Sequence, residues 1–304
     1  LVIDEFDKCL EMGFQDEMSR LVKSLPGLRR HFLLSATEAE EIPRFVHMGR
    51  VEKIDYRMDE EQVPERVHIY KVESPVKDKL ESLGMLLRSL GDQSTIVFLN
   101  YRDSVERTNK YLVEQGFSTS FFHGGLEQKE REASLYRFSN GSANILVSTD
   151  LASRGLDIPD IDNIIHYHMP ESEDGYIHRV GRTARWEAQG RAFFLLGPEE
   201  HIPDYVDAEV EDYEIPAVEE LPMPAKPKMA TLYIGKGKKD KISKGDILGF
   251  LCKKGGLNSS EIGKIDVNDR YAYAAIARPK LRSVLNNVRG EKIKGVKTIV
   301  EEVR

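Results

Sequence analysis

The sequence predicts an α/β protein. A parallel sheet with helices on both faces is preceded by the tail of a similar unit and followed by a small α+β module of order βαββαβ. Three observations predict it. Between residues 65 and 197, short apolar runs alternate with amphipathic stretches of 10–15 residues, the length a crossover between parallel strands needs. From residue 230 the order changes to strand, helix, strand, strand, helix, strand, a split sandwich with one open sheet face. Charge also divides the chain. Residues 226–304 carry 19 Lys and Arg against 8 Asp and Glu, whereas residues 1–225 carry 25 against 43, so the overall −7 conceals a basic module on an acidic body.

Each element has its own signal. Leu1–Ile3 is an apolar strand, a helix runs through Leu21–Leu25, and His31–Ser35 is a second strand, followed by a helix and a short strand up to residue 58. Val67–Val72 is a β-type run. Lys77–Leu90 places Leu80, Leu83, Leu86, Leu87 and Leu90 on one helical face. Thr95–Leu99 reads as a buried strand, and Arg102–Gln115 as a helix stopped by Gly116. Strand Phe117–Phe122, helix Glu127–Phe138, strands Asn144–Ser148 and Asn163–Tyr167, helix Glu173–Arg182 and strand Arg191–Leu196 complete the sheet. The C-terminal module reads as strand Thr231–Ile234, helix Lys244–Lys254, strands Glu261–Val267 and Tyr271–Ala277, helix Pro279–Val288 and strand Val296–Glu302.

These signals predict domains at residues 1–60, 61–215 and 230–304, with a linker at 216–229. From Gly197 to Ala225 there are ten acidic residues, five prolines and no Lys or Arg, the composition of an extended strap. Tyr205, Val206, Val210, Tyr213 and Ile215 give its first half an apolar side to pack on the preceding domain. Apolar residues make up 40% and charged residues 31%, which excludes a wholly disordered chain. No apolar run approaches the length of a membrane span, and LVIDEFD has no signal-peptide character. The first residue lies inside an apolar segment without an initiator Met, so the chain is expected to begin in mid-protein. Cys9 and Cys252 are too few for a disulfide framework or a zinc site, which points to no disulfide partner and a reducing cytoplasm.

Three segments carry chemistry. In LVIDEFD the carboxylates of Asp4 and Glu5 follow an apolar strand directly. An Asp there can hold Mg²⁺ on a nucleotide, and a neighbouring Glu can orient or deprotonate water. A helix cap is the plain alternative. In STDLASRGLDIPD, Gly155 allows close backbone approach and Asp157 can accept from a ribose hydroxyl. In HRVGRTAR, Arg179, Arg182 and Arg185 are spaced by three, on one helical face. Such like-charge crowding adds little to a structural helix but suits a triphosphate, which needs several forked cations. A solvated basic face is the plain alternative. His166 and His168 alternate on a strand without further zinc ligands, and GLNSSEIGK departs from the phosphate-loop pattern at Asn258 and Ile265.

DEFD, SAT, HGGLEQKER, STDLASRGLDIPD and HRVGRTAR occur in that order, and over roughly residues 1–200 the chain resembles the rear part of a DEAD-box RNA helicase. Phe6 and Ala184 depart from the usual Ala and Gly of the family. The resemblance implies RecA-like domains, ATP and Mg²⁺ as cofactors, and RNA as partner. It implies that Asp4 organises Mg²⁺ through water and that Glu5 acts on the attacking water. It assigns Arg182 and Arg185 as arginine fingers, and Asp157, His178 and Arg179 to the nucleotide and its coupling to RNA. Asp7, Ser35 and Thr37 would link the two sites, and Gly125, Gln128, Arg131, Thr149 and Arg154 would line the RNA path. No G-x-x-x-x-G-K-[ST] occurs in the 304 residues, so the chain alone is expected to bind ATP poorly and to lack useful turnover.

Residues from Thr231 resemble the variant RNA-recognition domain that ends the DbpA helicases. Tyr233, Tyr271 and Tyr273 are candidates to stack on unpaired bases, the last two sharing one sheet face. Lys236, Lys238, Lys239, Lys241, Arg270 and Arg278 are the candidate cations. This resemblance implies a structured ribosomal RNA target and a role in large-subunit assembly. Two other readings stay open: a non-catalytic RNA-binding protein on a helicase scaffold, and a DNA-translocating motor.

Overall fold

A computed structural model describes residues 1–4, 6–11, 14–35, 46, 51–54, 66–150, 161–183 and 189–303. The chain divides into two compact units, residues 1–60 and 61–304.

In the first unit, β1 (Val2–Ile3) lies parallel to β2 (Phe32–Leu33), with α1 (Phe6–Glu11) and α2 (Gln15–Lys23) between them. Phe6, the departure in the carboxylate motif, is 1% exposed and packs with Met18 and Val46. Its bulk therefore serves the core of this unit. The helix and short strand expected before residue 58 fall largely outside the described residues.

The second unit opens with a seven-stranded, wholly parallel sheet. Its strands are β3 (Val67–Glu73), β4 (Thr95–Phe98), β5 (Thr119–Phe122), β6 (Ile145–Ser148), β7 (Asn163–His166), β8 (Gly190–Leu196) and β9 (Val210–Asp212), in the order β5-β6-β4-β7-β8-β3-β9. The helices are α3 (Leu80–Leu90), α4 (Arg102–Glu114), α5 (Gln128–Ser139) and α6 (Glu173–Val180). Alternation along each strand feeds two cores. Ile96 and Phe98 join Phe138, Tyr176 and Val180 under α5 and α6. Val97 and Leu99 join the leucines of α3, with Val105 and Leu112 of α4. A sheet buried on both faces explains why its strands read as continuous apolar runs.

The acidic strap packs as its apolar residues predict, and three of its residues form β9, an edge strand the sequence reading missed. Arg88 holds the linker by donating to the carbonyls of Leu221 at 2.6 Å and Pro222 at 2.7 Å.

The C-terminal module is an antiparallel sheet in the order β11-β12-β10-β15, from β10 (Met229–Ile234), β11 (Ile262–Val267), β12 (Ala272–Ala277) and β15 (Val300–Glu302). One face packs on α7 (Lys244–Lys253) and α8 (Leu281–Asn287). The expected strand Val296–Glu302 is broken. Val296–Lys297 (β14) turns back on Lys292–Ile293 (β13), through Lys294 at φ 51° and Gly295 at φ 82°. Two consecutive positive φ values are the geometry of a tight two-residue hairpin, so the last sheet strand begins only at Val300.

Candidate functional site

The C-terminal ends of β4, β5, β6 and β7 form one edge of the parallel sheet, and Gly125, Gln128, Arg131 and Thr149 lie along it. Gly125 lies past β5, with its N–H donated to His123 Nδ1 at 3.1 Å. A Cβ at Gly125 would stand 3.1 Å from that ring, so the position favours glycine. Gln128 opens α5, whose N-terminus is secured by a capping box between Glu127 and Glu130. Arg131 lies 5.4 Å from the ring centre of Phe122, the last residue of β5. Thr149, just past β6, is buried and donates its N–H to the carbonyl of Phe122 at 3.3 Å. Gly125, Gln128, Arg131 and Thr149 are therefore neighbours around one strand end. Arg154 and Asp157 lie outside the described residues.

α6 starts at Ser172, whose hydroxyl accepts from Gly175 N at 3.1 Å, and stops at Gly181. The expectation that Arg179, Arg182 and Arg185 share a helical face fails, because the helix ends after Val180. Arg182 sits in the turn beyond, with its N–H on the carbonyl of Arg179 at 3.2 Å. His178 and Arg182 are half-buried, and Arg185 is outside the described residues.

Arg179 points inward and is 1% exposed. Its Nε and Nη2 grip the carboxylate of Asp150 at 2.5 and 2.7 Å. Nη2 also reaches Asn100 Oδ1 at 2.8 Å, and Nη1 reaches the carbonyl of His168 at 2.7 Å and Nδ1 of His166 at 3.4 Å. The guanidinium stands 5.2 Å from the Phe98 ring centre. These contacts engage all three of its nitrogens inside the domain. Placed by the sequence among the nucleotide-contacting residues, Arg179 ties α6 to the ends of β4, β6 and β7 instead.

An arginine always donates, so His166 must present an unprotonated Nδ1. Burial, and then the charge of Arg179, push its pKa well below the ordinary histidine value. Nearby, Lys79 is buried and donates Nζ to the carbonyls of Tyr167 at 2.5 Å and Leu195 at 2.9 Å while pairing with Glu200. Burial pushes this amine down and Glu200 opposes the shift. Asn100, Asp150 and Lys79 were missed from the sequence. Asp150 lay inside a motif already singled out, whereas Lys79 has no signal beyond its place in a leucine-rich helix start.

In the first unit, Asp4 is exposed at the end of β1, Asp7 lies in α1, and Ser35 is exposed just past β2. Glu5 and Thr37 fall outside the described residues.

The tyrosine cluster forms as expected. Tyr233 lies 5.8 Å from Tyr271 and 6.1 Å from Tyr273. The face is not open, however, because α5 covers it. The Tyr136 ring lies tilted against Tyr273, centres 5.0 Å apart; Tyr273 is only 3% exposed, and burial raises its pKa to about 12. The Tyr136 hydroxyl donates to the carbonyl of Lys264, and the Tyr271 hydroxyl to Glu132. Lys129 Nζ lies 5.4 Å from the Tyr233 ring centre, and Asn140 donates to Thr231 at 2.9 Å. Stacking of a base on Tyr273 is therefore excluded in this arrangement. Arg278 also belongs to the seam, donating to the carbonyls of Pro227 at 2.8 Å and Ser142 at 3.3 Å. Burial lowers its pKa.

Lys236, Lys238, Lys239, Lys241 and Arg270 remain as a basic corner. Lys238 N and Lys239 N donate to the carbonyls of Asn268 and Asp269, both at 2.8 Å, which brings the turn of Arg270 beside the lysines. Lys236 pairs with Asp240 at 3.1 Å and Lys239 with Asp269 at 3.5 Å. Lys238, Lys241 and Arg270 are exposed. Among the described residues, no group of three or more His, Cys, Asp or Glu could hold a metal ion, and no helix is long and apolar enough to cross a membrane.

Comparison with known proteins agrees with this architecture. The family described as "Helicase conserved C-terminal domain" matches residues 78–187, and "DbpA RNA binding domain" matches residues 231–302. The ATP-dependent RNA helicase DbpA of Escherichia coli (strain K12) is 34% identical over 97% of this chain, and DbpA of Bacillus subtilis (strain 168) is 29% identical over 97%. The chain spans 65% and 67% of the lengths of those two relatives. Among solved structures, S. cerevisiae Dbp5 bound to RNA and ADP BeF3 matches with a TM-score of 0.58 and 25% identity, over 70% of this chain and 58% of that one. A RecA-like parallel sheet joined to a DbpA-type RNA-binding domain thus places this chain in the DEAD-box RNA helicase family, among its DbpA-like members.

Proposed function

We propose that the protein works as part of an ATP-dependent RNA helicase, in which the RecA-like sheet edge holds an RNA backbone and the C-terminal domain recruits structured RNA. The observation that carries this reading is the grouping of Gly125, Gln128, Arg131 and Thr149 about Phe122, beside a separate corner of exposed lysines. Backbone amides and cations at a strand end suit sequence-independent phosphate contacts. In this reading residues 1–60 and 61–215 supply the two RecA-like parts, 216–229 the linker and 230–304 the RNA-binding domain. The RNA is ribosomal, the process is large-subunit assembly, and the place is the cytoplasm.

Asp4 fits a water-mediated hold on Mg²⁺, because it is an exposed carboxylate at a strand end. Mg²⁺ would neutralise charge on the phosphates of ATP. Glu5 would act on water, Arg182 and Arg185 would stabilise phosphoryl charge, Asp157 and His178 would contact the nucleotide side, and Arg179 would position α6. Asp7, Ser35 and Thr37 would couple nucleotide to RNA, with Arg154 joining the RNA path.

Without a phosphate-loop sequence, the 304-residue chain should bind RNA but not turn over ATP. The test is a chimera with the N-terminal segment of the E. coli relative placed before residue 1. It should show RNA-stimulated ATPase that Glu5→Gln lowers by about 10²–10⁴-fold. Unchanged turnover in that variant would remove Glu5 from its role, and a chimera without RNA-stimulated turnover would favour the non-catalytic reading.

A further inference from the structure

A groove of about 720 Å³ runs between α5 and the C-terminal domain, outside the residues assigned to RNA above apart from Lys238 and Tyr273. Tyr136 and Tyr273 line it, and Lys238, Lys244 and Lys264 bring three ammonium groups to it. Its two carboxylates are already engaged. Glu132 accepts from Gln128 Nε2 at 2.9 Å and from the Tyr271 hydroxyl, and Asp266 stands 3.7 Å from Lys244 and 3.5 Å from Lys264. Lys244 and Lys264 keep 69% and 48% of their side chains in water, so both can reach a ligand. Lys264 Nζ also lies 5.8 Å from the Tyr136 ring centre.

The groove is continuous with both candidate RNA surfaces. At one end Glu132 carries the side chain of Gln128, next to the sheet edge. At the other, Lys238 is bonded through its backbone to the turn before Arg270. Three lysines against two carboxylates leave positive charge in excess, which suits the phosphates of a strand lying in the groove. A groove of this volume admits single nucleotides and not a duplex.

We propose that this groove is a subsite for unpaired nucleotides of an RNA strand passing from the sheet edge to the basic corner, with Lys244 and Lys264 on its phosphates. The proposal rests on the RNA-binding reading above. Both lysines make surface ion pairs, which contribute little to folding, so their replacement leaves the domain intact.

The test uses the 304-residue chain, a fluorescein-labelled oligouridine of twelve nucleotides and an RNA hairpin without overhangs, followed by anisotropy across a salt series. The Lys244→Ala/Lys264→Ala variant should bind the oligouridine more weakly, with the slope of log K against log salt reduced by about 1.4, for two contacts at about 0.7 each. Oligouridine carrying 4-thiouridine should crosslink to peptides containing Lys244 or Lys264. The groove is overturned by a wild-type chain that binds oligouridine with the same slope as the variant, by crosslinks falling only elsewhere, or by binding of the hairpin alone. Failure of the wild-type chain to bind either RNA would instead overturn the RNA-binding reading itself.

Discussion

Arg179 shows what a buried charge does when its donors are all used. Its pair with Asp150 is fixed by further bonds to Asn100 and to the carbonyl of His168, so three strand ends and α6 share one guanidinium. Removing it breaks the bonds to Asp150, Asn100 and His168 together and leaves a cavity where a fully buried side chain stood, a loss of about 2–5 kcal/mol. Arg179→Ala should therefore lower the urea midpoint sharply, and Arg179→Lys should rescue little, because an ammonium cannot reproduce the fork. A midpoint unchanged by Arg179→Ala would refute the hub. His166 adds a pH dependence. Its folded pKa is depressed, so below about pH 6.5 the unfolded chain takes up a proton that the folded chain refuses. Stability is then complete above that pH and is lost as pH falls, by up to about 1.4 kcal/mol per pH unit. Half-buried His168 shifts in the same direction and contributes to the same slope. Because His166 stacks on Phe194 at 4.5 Å, His166→Phe keeps the packing and should flatten the acid limb in urea titrations from about pH 5 to pH 8. The sequence marked the arginine as one of a trio spaced by three but left its direction unread. Spacing by three looks the same on paper whether a helix runs on or stops at Gly181.

At the scale of elements, α5 serves two surfaces. Its first turn brings Gln128 to the sheet edge, while Lys129, Glu132, Tyr136 and Asn140 meet the tyrosine face at helical spacing. The helix itself was legible from residues 127–138, and so was the shared face of Tyr271 and Tyr273. Their meeting was not legible, since Lys129 and Glu132 look like an ordinary solvated stripe and the contact joins positions more than 130 residues apart. The edge strand β9 was hidden for a similar reason. Its three residues, Val210, Glu211 and Asp212, carry too little apolar pattern to announce a strand. The seam is testable by a double-mutant cycle. Glu132→Ala and Tyr271→Phe should couple by about 0.5–3 kcal/mol in chemical denaturation, as residues in contact do. Additive effects would show that the hydrogen bond, which holds Glu132 below the usual carboxylate range, is not formed in solution.

Across the whole molecule, the division of charge sets what the two parts can bind. The basic C-terminal module, with 19 cationic residues against 8 acidic ones, keeps Lys238, Lys241 and Arg270 exposed, while its aromatic face is spent on α5. This division was visible in the charge count, and the order of the main elements in the local hydrophobic pattern, because both depend on local sequence. The open tyrosine face expected of a split sandwich was not, since burial depends on what packs across it. The central claim is that this module binds RNA through its basic corner. The direct measurement is anisotropy titration of the 304-residue chain against an RNA hairpin and a DNA hairpin of matched sequence, over a range of salt, with the Lys238→Glu/Lys241→Glu variant alongside. The expected result is preference for RNA, log K falling linearly with log salt, and a shallower slope and weaker binding in the variant. Equal affinity for the two nucleic acids, or a variant that binds like the unaltered chain, would contradict it.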